Sequence, residues 1–190
     1  MILTGIADEA GNDIQTQIKA HQQIGWNAVE LRTINGKNVC GELDDDAFDH
    51  VVAKLQEAQM TVAGFGSAIG NWSRHIHDDF QQDVDELKRA IPRMARLGVK
   101  HMRTMSWLGK GVSEKDWRDE TIRRYRELAK MAEDGGVILA HENCTGWACQ
   151  TPAHMRELIE TVDSPAVRIL LDIGNIVGYG FSREEIYQTV

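Results

Sequence analysis

The chain is 190 residues long, and 21 Lys and Arg against 29 Asp and Glu give it a formal net charge of −8. A hydrophobic fraction of 42% with 26% charged residues is typical of a soluble globular protein and excludes a disordered tail or a collagen-like repeat. The acidic balance argues against a nucleic-acid partner. No apolar run approaches the roughly 20 residues that span a bilayer, so no membrane partner is expected.

The cysteine content and the first residues indicate a compartment. Cys40, Cys144 and Cys149 are odd in number and lack zinc-finger spacing. The first residues lack the basic and apolar regions of a signal peptide. We therefore expect a cytoplasmic protein. Between residues 118 and 126, arginines alternate with acidic residues, which predicts a solvated helix face.

The first apolar run, residues 3–7, predicts a strand. Ile14, Ile18 and Ile24 then repeat at the spacing of one helix face. A second strand is predicted from residue 28, and Asp45 or Asp46 is suited to cap the helix that follows. The residues that this helix is predicted to bury are Phe48, Val51, Val52 and Leu55.

The third and fourth strands are predicted at residues 61–67 and 99–105. A long helix joins them, and Pro92 inside it lacks a backbone donor, so a kink is expected there. The core-facing positions of this helix are Phe80, Val84, Leu87, Ile91 and Met94.

Ser113 begins a capping box, which predicts the next helix start, and a fifth strand follows at residues 137–141. Thr151 followed by Pro152 is a second start signal. The sixth strand is predicted at residues 167–172, and a capping box at residues 182–185 predicts a last helix. In the helix that begins after Ser113, the apolar positions predicted to face inward are Trp117, Tyr125, Leu128 and Ala132.

Six strands alternating with helices predict a parallel sheet with helical crossovers. The turn after the first strand, residues 8–12, is acidic and lacks the glycine pattern of a nucleotide site. Polar residues instead follow nearly every strand, as in an eight-stranded (β/α)₈ TIM barrel, whose active site lies at the carboxyl ends of its strands. A complete barrel takes about 250 residues. The chain is therefore interpreted as a single, incomplete TIM-barrel domain over residues 1–190.

Glu142 and Asp172 are the strongest candidates for chemistry. Each ends an apolar strand, where a carboxylate is costly unless it is ligated, paired or exposed. Two oxygen ligands on nearby strands suit Mg²⁺ or Mn²⁺. The alternative is that each carboxylate caps the loop that follows it or lies at the surface.

The order of several short motifs resembles the xylose-isomerase-like TIM-barrel family, which includes sugar-phosphate isomerases, ketose 3-epimerases and endonuclease-IV-type enzymes. The matching segments are residues 5–11, 25–32, 66–70, 141–143 and 171–175. The resemblance implies that Glu142 and Asp172 bind a divalent metal (Mn²⁺, Mg²⁺ or similar, with Zn²⁺ as an alternative). A His and a Glu after the seventh and eighth strands complete the family's ligand set. The family often has a His three residues after the Asp, where this chain has Asn175.

The resemblance further implies proton transfer next to a sugar carbonyl through an enediolate, with Glu142 as both metal ligand and general base. Only 18 residues follow Asp172 (190 − 172), so the seventh and eighth strands are expected to be absent and activity to be impaired in this chain alone. Open sheet edges favour association, so a homo-oligomer is expected.

Further polar and aromatic residues near the strand ends are candidates for binding a small sugar or sugar phosphate. Structural alternatives remain open for them: a salt bridge for Arg103, packing for Trp107, and a mutual ion pair for Glu30 and Arg32. The set is Glu9, Glu30, Arg32, Ser67, Arg103, Trp107, Asn143 and Asn175.

The leading hypothesis is a metal-dependent sugar or sugar-phosphate isomerase or epimerase. A non-catalytic binding or assembly module derived from a barrel is the alternative from another class. An endonuclease-IV-like repair enzyme is a weaker alternative, because the net charge is −8 and no histidine-rich zinc site is visible. The cysteines lack the partner motif of a Cys-His hydrolase.

Overall fold

The computed structural model describes residues 1–175, 180, 182 and 184. The helices are α1 Ile14–Gln23, α2 Asp45–Glu57, α3 Gln81–Leu97, α4 Glu114–Gly135 and α5 Pro152–Val162. The strands are β1 Ala28–Leu31, β2 Thr33–Ile34, β3 Lys37–Asn38, β4 Thr61–Gly66, β5 His101–Ser106, β6 Ile138–Gly146 and β7 Val167–Leu170. Short 3₁₀ helices lie at Ala7–Glu9 and Trp147–Cys149. No helix within this described part of the chain is both long and apolar enough to cross a bilayer.

Five of the strands form one parallel sheet in the order β1-β4-β5-β6-β7, with helices between successive strands, which confirms the predicted α/β class. β1 pairs in parallel with β4, and β6 pairs in parallel with β7, where Leu139 lies opposite Val167 and Glu142 opposite Leu170. β2 and β3 form a separate antiparallel hairpin. The sequence analysis did not predict this hairpin, because its strands are only two residues long.

The chain divides into two compact units, and each is described by itself. The first unit comprises Met1–Ser67 and Asp85–Met102, and the second comprises Ala68–Val84 and the chain from Arg103 onward. The interpretation of residues 1–190 as one domain stays a prediction.

In the first unit, α2 packs through the four apolar residues that its periodicity predicted, and all of them are buried. The cap is Asp44 rather than Asp45 or Asp46, because its side chain accepts a hydrogen bond from the Ala47 amide at 2.8 Å. Asp44 has extended backbone angles, whereas the two following residues already lie in the first helical turn. The prediction was wrong by one position.

Arg93 of α3 holds the loop that precedes α2. Its guanidinium donates to the carbonyl oxygens of Val39 at 2.8 Å and Leu43 at 2.7 Å, and it lies 4.7 Å from the centre of the Phe48 ring. The side chain also pairs with Asp45 at 2.5 Å. A buried arginine thus satisfies carbonyl groups that no strand or helix satisfies.

Two expectations for the first residues were wrong. Residues 3–7 form a single parallel bridge between Ile6 and Glu30 rather than a strand, because the backbone turns into the 3₁₀ helix immediately after Ile6. Ile24 is 60% exposed, since α1 ends at Gln23 and Ile24 no longer follows the helical periodicity.

In the second unit, Ser113 and Thr151 cap α4 and α5, and Tyr125, Leu128 and Ala132 are fully buried, all as predicted. The Tyr125 hydroxyl donates to the carbonyl oxygen of Met105 at 3.0 Å. The predicted helix at residues 182–185 falls largely outside the described residues.

Arg124 contradicts the prediction that the arginines of α4 form a solvated face. Its side chain is buried and donates to the carbonyl oxygens of Ile76 at 2.7 Å and Asp78 at 3.0 Å. The alternation of charges correctly predicted exposed neighbours such as Arg123. It did not indicate that Arg124 would bind a loop about 48 residues earlier in the sequence.

Candidate metal and substrate site

Glu142 and Asp172, here called the carboxylate pair, lie at the carboxyl end of the paired region of two neighbouring parallel strands. Glu142 is inside β6, opposite Leu170 of β7, and Asp172 follows two residues later. The Glu142 side chain is buried, whereas Asp172 is half-buried. β6 extends further than the sequence predicted, so Glu142 is part of the strand rather than of the loop after it.

The Glu142 carboxylate is held from two sides. Asn175 Nδ2 donates to Oε1 at 3.2 Å, and Arg103 Nε lies 3.4 Å from Oε2. Both charged side chains are nearly inaccessible to solvent, at 6% and 9% exposure. Burying a lone carboxylate would be unfavourable, and the nearby guanidinium of Arg103 offsets the charge of Glu142.

Asp172 is fixed through its backbone. The Asn143 side chain donates from Nδ2 to the Asp172 carbonyl oxygen at 2.9 Å and accepts from the Asp172 amide through Oδ1 at 2.6 Å. Asp172 Oδ1 in turn accepts hydrogen bonds from the amides of Gly174 and Asn175, at 2.7 and 3.3 Å. This is the loop-capping arrangement considered from the sequence, but it engages only one oxygen. Among the described residues, none donates a hydrogen bond to Oδ2.

Two cysteines lie near the carboxylate pair, and both thiols are kept protonated. Burial raises the pKa of Cys149 to about 12, and its Sγ donates to the carbonyl oxygens of Glu142 and Thr145. Burial also raises the pKa of the half-buried Cys144, and the charge of Glu142 adds to the effect. A thiolate nucleophile is therefore disfavoured at this position.

The donor set of the carboxylate pair fits a hard divalent cation. Mg²⁺ is commonly bound by one or two carboxylates, with water and substrate oxygens completing its coordination. The free Asp172 Oδ2 is a ligand atom without a competing partner in the described part of the chain. No group of three or more His, Cys, Asp or Glu side chains able to hold a metal occurs among those residues. The described residues thus offer two protein ligands.

A second polar cluster lies in the first unit and centres on Asp8. Arg32 Nε lies 3.0 and 2.9 Å from its two carboxylate oxygens, and the Thr33 hydroxyl donates at 2.5 Å. Burial acts to raise the pKa of Asp8, but the hydrogen bonds from Arg32 and Thr33 outweigh it, and the pKa is lowered. Glu9 is largely exposed and 3.9 Å from Arg32. Asp8 was not in the predicted set, although its position directly after the first apolar run was the available signal.

Trp107 lies in the packed interior of the second unit. Its side chain is fully buried, and its indole N–H donates to Asp83 Oδ2 at 2.9 Å. Asp83 also accepts a hydrogen bond from Arg74, and Arg124 lies 3.9 Å away. We call these four residues the Asp83 cluster. The ring therefore offers no accessible face for stacking in this structure, which agrees with the packing alternative considered from the sequence.

The remaining predicted residues divide between the units. Glu9, Glu30, Arg32 and Ser67 belong to the first unit, and Arg103, Trp107, Glu142, Asn143, Asp172 and Asn175 belong to the second. Within the second unit, all of these except Trp107 are joined by the contacts around the carboxylate pair. Ser67 is buried directly after β4, and Glu30 is half-buried in β1.

Residues 18–190 match the profile of the family described as xylose isomerase-like TIM barrel. The chain belongs to this family, and its sheet and helices form part of a TIM-barrel fold.

Comparison with individual proteins agrees with this assignment. Over 94 residues, half of this chain, it is 34% identical to the 2-epi-5-epi-valiolone 7-phosphate 2-epimerase of an Actinoplanes species, and the match spans 33% of that curated relative.

Solved structures show the same fold at low sequence identity. The 3-keto-D-glucoside 4-epimerase from E. coli superposes with a TM-score of 0.74 at 18% identity, covering 100% of this chain and 74% of that one. The IOLI protein with a bound zinc atom superposes with a TM-score of 0.77 at 16% identity, covering 99% of this chain and 68% of that one. A xylose isomerase-like TIM barrel protein from Mycobacterium smegmatis in complex with magnesium superposes with a TM-score of 0.72 at 17% identity. The match covers 100% of this chain and 71% of that one.

Proposed function

We propose that the chain belongs to a metal-dependent isomerase or epimerase that moves a proton next to the carbonyl group of a sugar or sugar phosphate. The observation that carries the proposal is the carboxylate pair, with Glu142 in the last registered pair of β6 and β7 and Asp172 directly beyond β7. Among the described residues, one oxygen of Asp172 accepts no hydrogen bond. The 2-epimerase relative and the metals in two barrels of the same fold support it.

In this proposal, Glu142 and Asp172 are the ligands of Mn²⁺, Mg²⁺ or a similar ion, with Zn²⁺ as the alternative. When bound, the cation supplies Lewis acidity to the substrate's carbonyl and hydroxyl oxygens. Glu142 also accepts the proton from the carbon next to the carbonyl. Arg103, 3.4 Å from Glu142, offsets the carboxylate charge inside a buried environment. Asn175 orients Glu142 through its hydrogen bond to Oε1.

The binding of a sugar by Arg103, Asn143 and Asn175 of the second unit is part of the proposal. For Glu9, Glu30, Arg32 and Ser67 of the first unit, sugar binding stays a prediction from the sequence. For Arg32, Asp8 fixes one edge of the guanidinium while the side chain stays 25% exposed, so part of it remains accessible to a polar ligand. A cytoplasmic location and a homo-oligomer remain predictions from the sequence.

Calorimetric titration tests the proposal. MnCl₂, MgCl₂ and ZnCl₂ are titrated separately into the purified chain and into the variants Glu142→Gln and Asp172→Asn. We expect one cation per chain and at least a tenfold loss of affinity in each variant, because each removes a charged ligand. Glu57→Gln is the control, since Glu57 is an exposed residue paired with Lys54. Absence of binding, or binding that neither variant weakens, contradicts the proposal and favours the non-catalytic alternative.

A further inference from the structure

The Asn143 side chain and the Asp172 backbone form a two-point contact that extends the pairing of β6 and β7. We propose that Asn143 is a positioning residue that preorganises the carboxylate pair, holding Asp172 beside Glu142 before a cation binds. This inference rests on the proposed function, because it assigns Asn143 a role in the same metal site.

The contact between the Asn143 side chain and the Asp172 backbone imitates the hydrogen bonds between two paired strands. The last registered pair of the two strands is Glu142 with Leu170. One residue further along β6, the carboxamide of Asn143 takes the place of a peptide group, accepting from the Asp172 amide at 2.6 Å and donating to the Asp172 carbonyl at 2.9 Å. The strand pairing therefore continues as far as Asp172, although β7 itself ends at Leu170.

Asn143 acts on Asp172 without occupying its carboxylate. Both hydrogen bonds go to the main chain, so Oδ2 stays available as a ligand atom. Because Asn143 directly follows Glu142, the two bonds tie the backbone of one proposed ligand to that of the other. Asn143 is itself only 8% exposed, so water competes little for its amide.

The chemistry of the contact requires a short carboxamide. Asparagine carries an acceptor and a donor on one planar group, and both are used here. Alanine supplies neither, and the serine hydroxyl is too short to reach both backbone atoms. Residues that orient metal ligands without touching the metal typically contribute about 10- to 100-fold to metal affinity. We expect an effect of that size for Asn143.

The chain contains a matched control in the first unit. Asn38 has the same 8% exposure, and its side chain also bridges two backbone groups, donating to the Gly66 carbonyl at 2.9 Å and accepting from the Cys40 amide at 2.8 Å. Asn38→Ala removes an equivalent pair of buried hydrogen bonds from residues that take no part in the proposed metal site.

The experiment measures Mn²⁺ affinity by calorimetry and stability by urea unfolding, for the wild type, Asn143→Ala, Asn143→Ser and Asn38→Ala. We expect the Asn143 variants to bind Mn²⁺ 10- to 100-fold more weakly. Asn38→Ala should retain wild-type affinity within twofold while losing a similar amount of stability. The serine variant is the smaller change and serves if the alanine variant does not fold.

Three outcomes overturn the inference. If both Asn143 variants bind Mn²⁺ like the wild type while Glu142→Gln does not bind, the metal site stands and Asn143 has no positioning role. If Asn38→Ala weakens binding as much as Asn143→Ala, the effect is one of general stability. If the wild type itself binds no cation, the proposed function fails, and the inference fails with it.

Discussion

The indole N–H of Trp107 donates a hydrogen bond to Asp83 at 2.9 Å, and both side chains are almost completely buried. The same carboxylate accepts a hydrogen bond from Arg74, and Arg124 lies 3.9 Å away. One acidic group at the start of α3 therefore accepts hydrogen bonds from two loops of the second unit, with the Arg124 guanidinium of α4 nearby. This cluster therefore helps to fix the loop that follows β4, together with the backbone hydrogen bonds that the loop makes with Met105 of β5 and with Leu108.

Asp83→Ala should destabilise the fold strongly, because it removes the acceptor of the buried indole N–H and the carboxylate that pairs with Arg74. Removing one partner of a buried ion pair typically costs about 3–5 kcal/mol. Urea unfolding followed by tryptophan fluorescence measures the loss. The control is Asp49→Ala, whose carboxylate is 59% exposed and pairs with the exposed Arg96; it should cost about 0.5 kcal/mol. Equal losses in the two variants would contradict a special role for the cluster.

Arg93→Met should weaken the first unit while keeping much of the packing on Phe48. The substitution removes the donors that bind the carbonyl groups of Val39 at 2.8 Å and Leu43 at 2.7 Å. We expect a loss of about 3 kcal/mol in the free energy of unfolding. Arg96→Met is the comparison, because Arg96 also lies over Phe48 but is half exposed. A loss of the same size in the comparison variant would assign the effect to ring stacking instead.

Gly146→Ala should be poorly tolerated. Gly146 has φ +101°, which favours glycine, and an added Cβ would overlap the carbonyl group of Ser106. We expect a loss above about 2 kcal/mol, measured by thermal unfolding. Gly25→Ala separates the two causes, because Gly25 has φ +77° but open space around its Cα. It should cost only about 1 kcal/mol. An equal cost at both positions would show that backbone strain alone is responsible.

The stability of the cation-free protein should fall as pH drops below 6.5. Burial lowers the pKa of His141 to about 4 from its ordinary 6.5, so the unfolded chain takes up a proton first. Stability from this group is complete above pH 6.5 and is lost between pH 6.5 and about 4. The difference between these two pKa values corresponds to about 3 kcal/mol in the free energy of unfolding.

Urea unfolding at half-unit pH intervals, with EDTA present, measures this dependence. The variant His141→Leu removes the titrating ring and keeps an apolar side chain against Tyr125, whose ring centre lies 5.8 Å from that of His141. The free energy of unfolding of His141→Leu should depend less on pH between pH 6.5 and about 4. An unchanged slope in the variant would assign the acid sensitivity to other groups.

Local signals in the sequence predicted most of the helices and their caps. Ser113 and Thr151 act within three residues of themselves, so their roles follow from the residue types alone. The buried face of α2 follows from its periodicity in the same way. The first predicted strand shows where this reasoning fails, because a five-residue apolar run does not reveal that the backbone turns after Ile6.

The contacts of the site depend on residues that are distant in sequence. Asn143 bonds to Asp172, 29 residues away, and Trp107 bonds to Asp83, 24 residues away. The sequence showed that Asn143 is a polar residue near a predicted strand end. It did not show that the side-chain amide would bind the main chain of Asp172. Glu142 and Asp172 were recognisable because a carboxylate after a buried strand is unusual, whereas an asparagine or a tryptophan there has many roles.

The burial of the thiols has a practical consequence. Cys40 and Cys149 are buried, which leaves the half-buried Cys144 as the most accessible thiol of the chain. Because its pKa is raised, a maleimide or nitroxide reagent should react slowly and at alkaline pH. A single label introduced in this way would sit two residues from Glu142. The chain thus carries a natural attachment point for a spectroscopic reporter beside the proposed metal site, without any engineered cysteine.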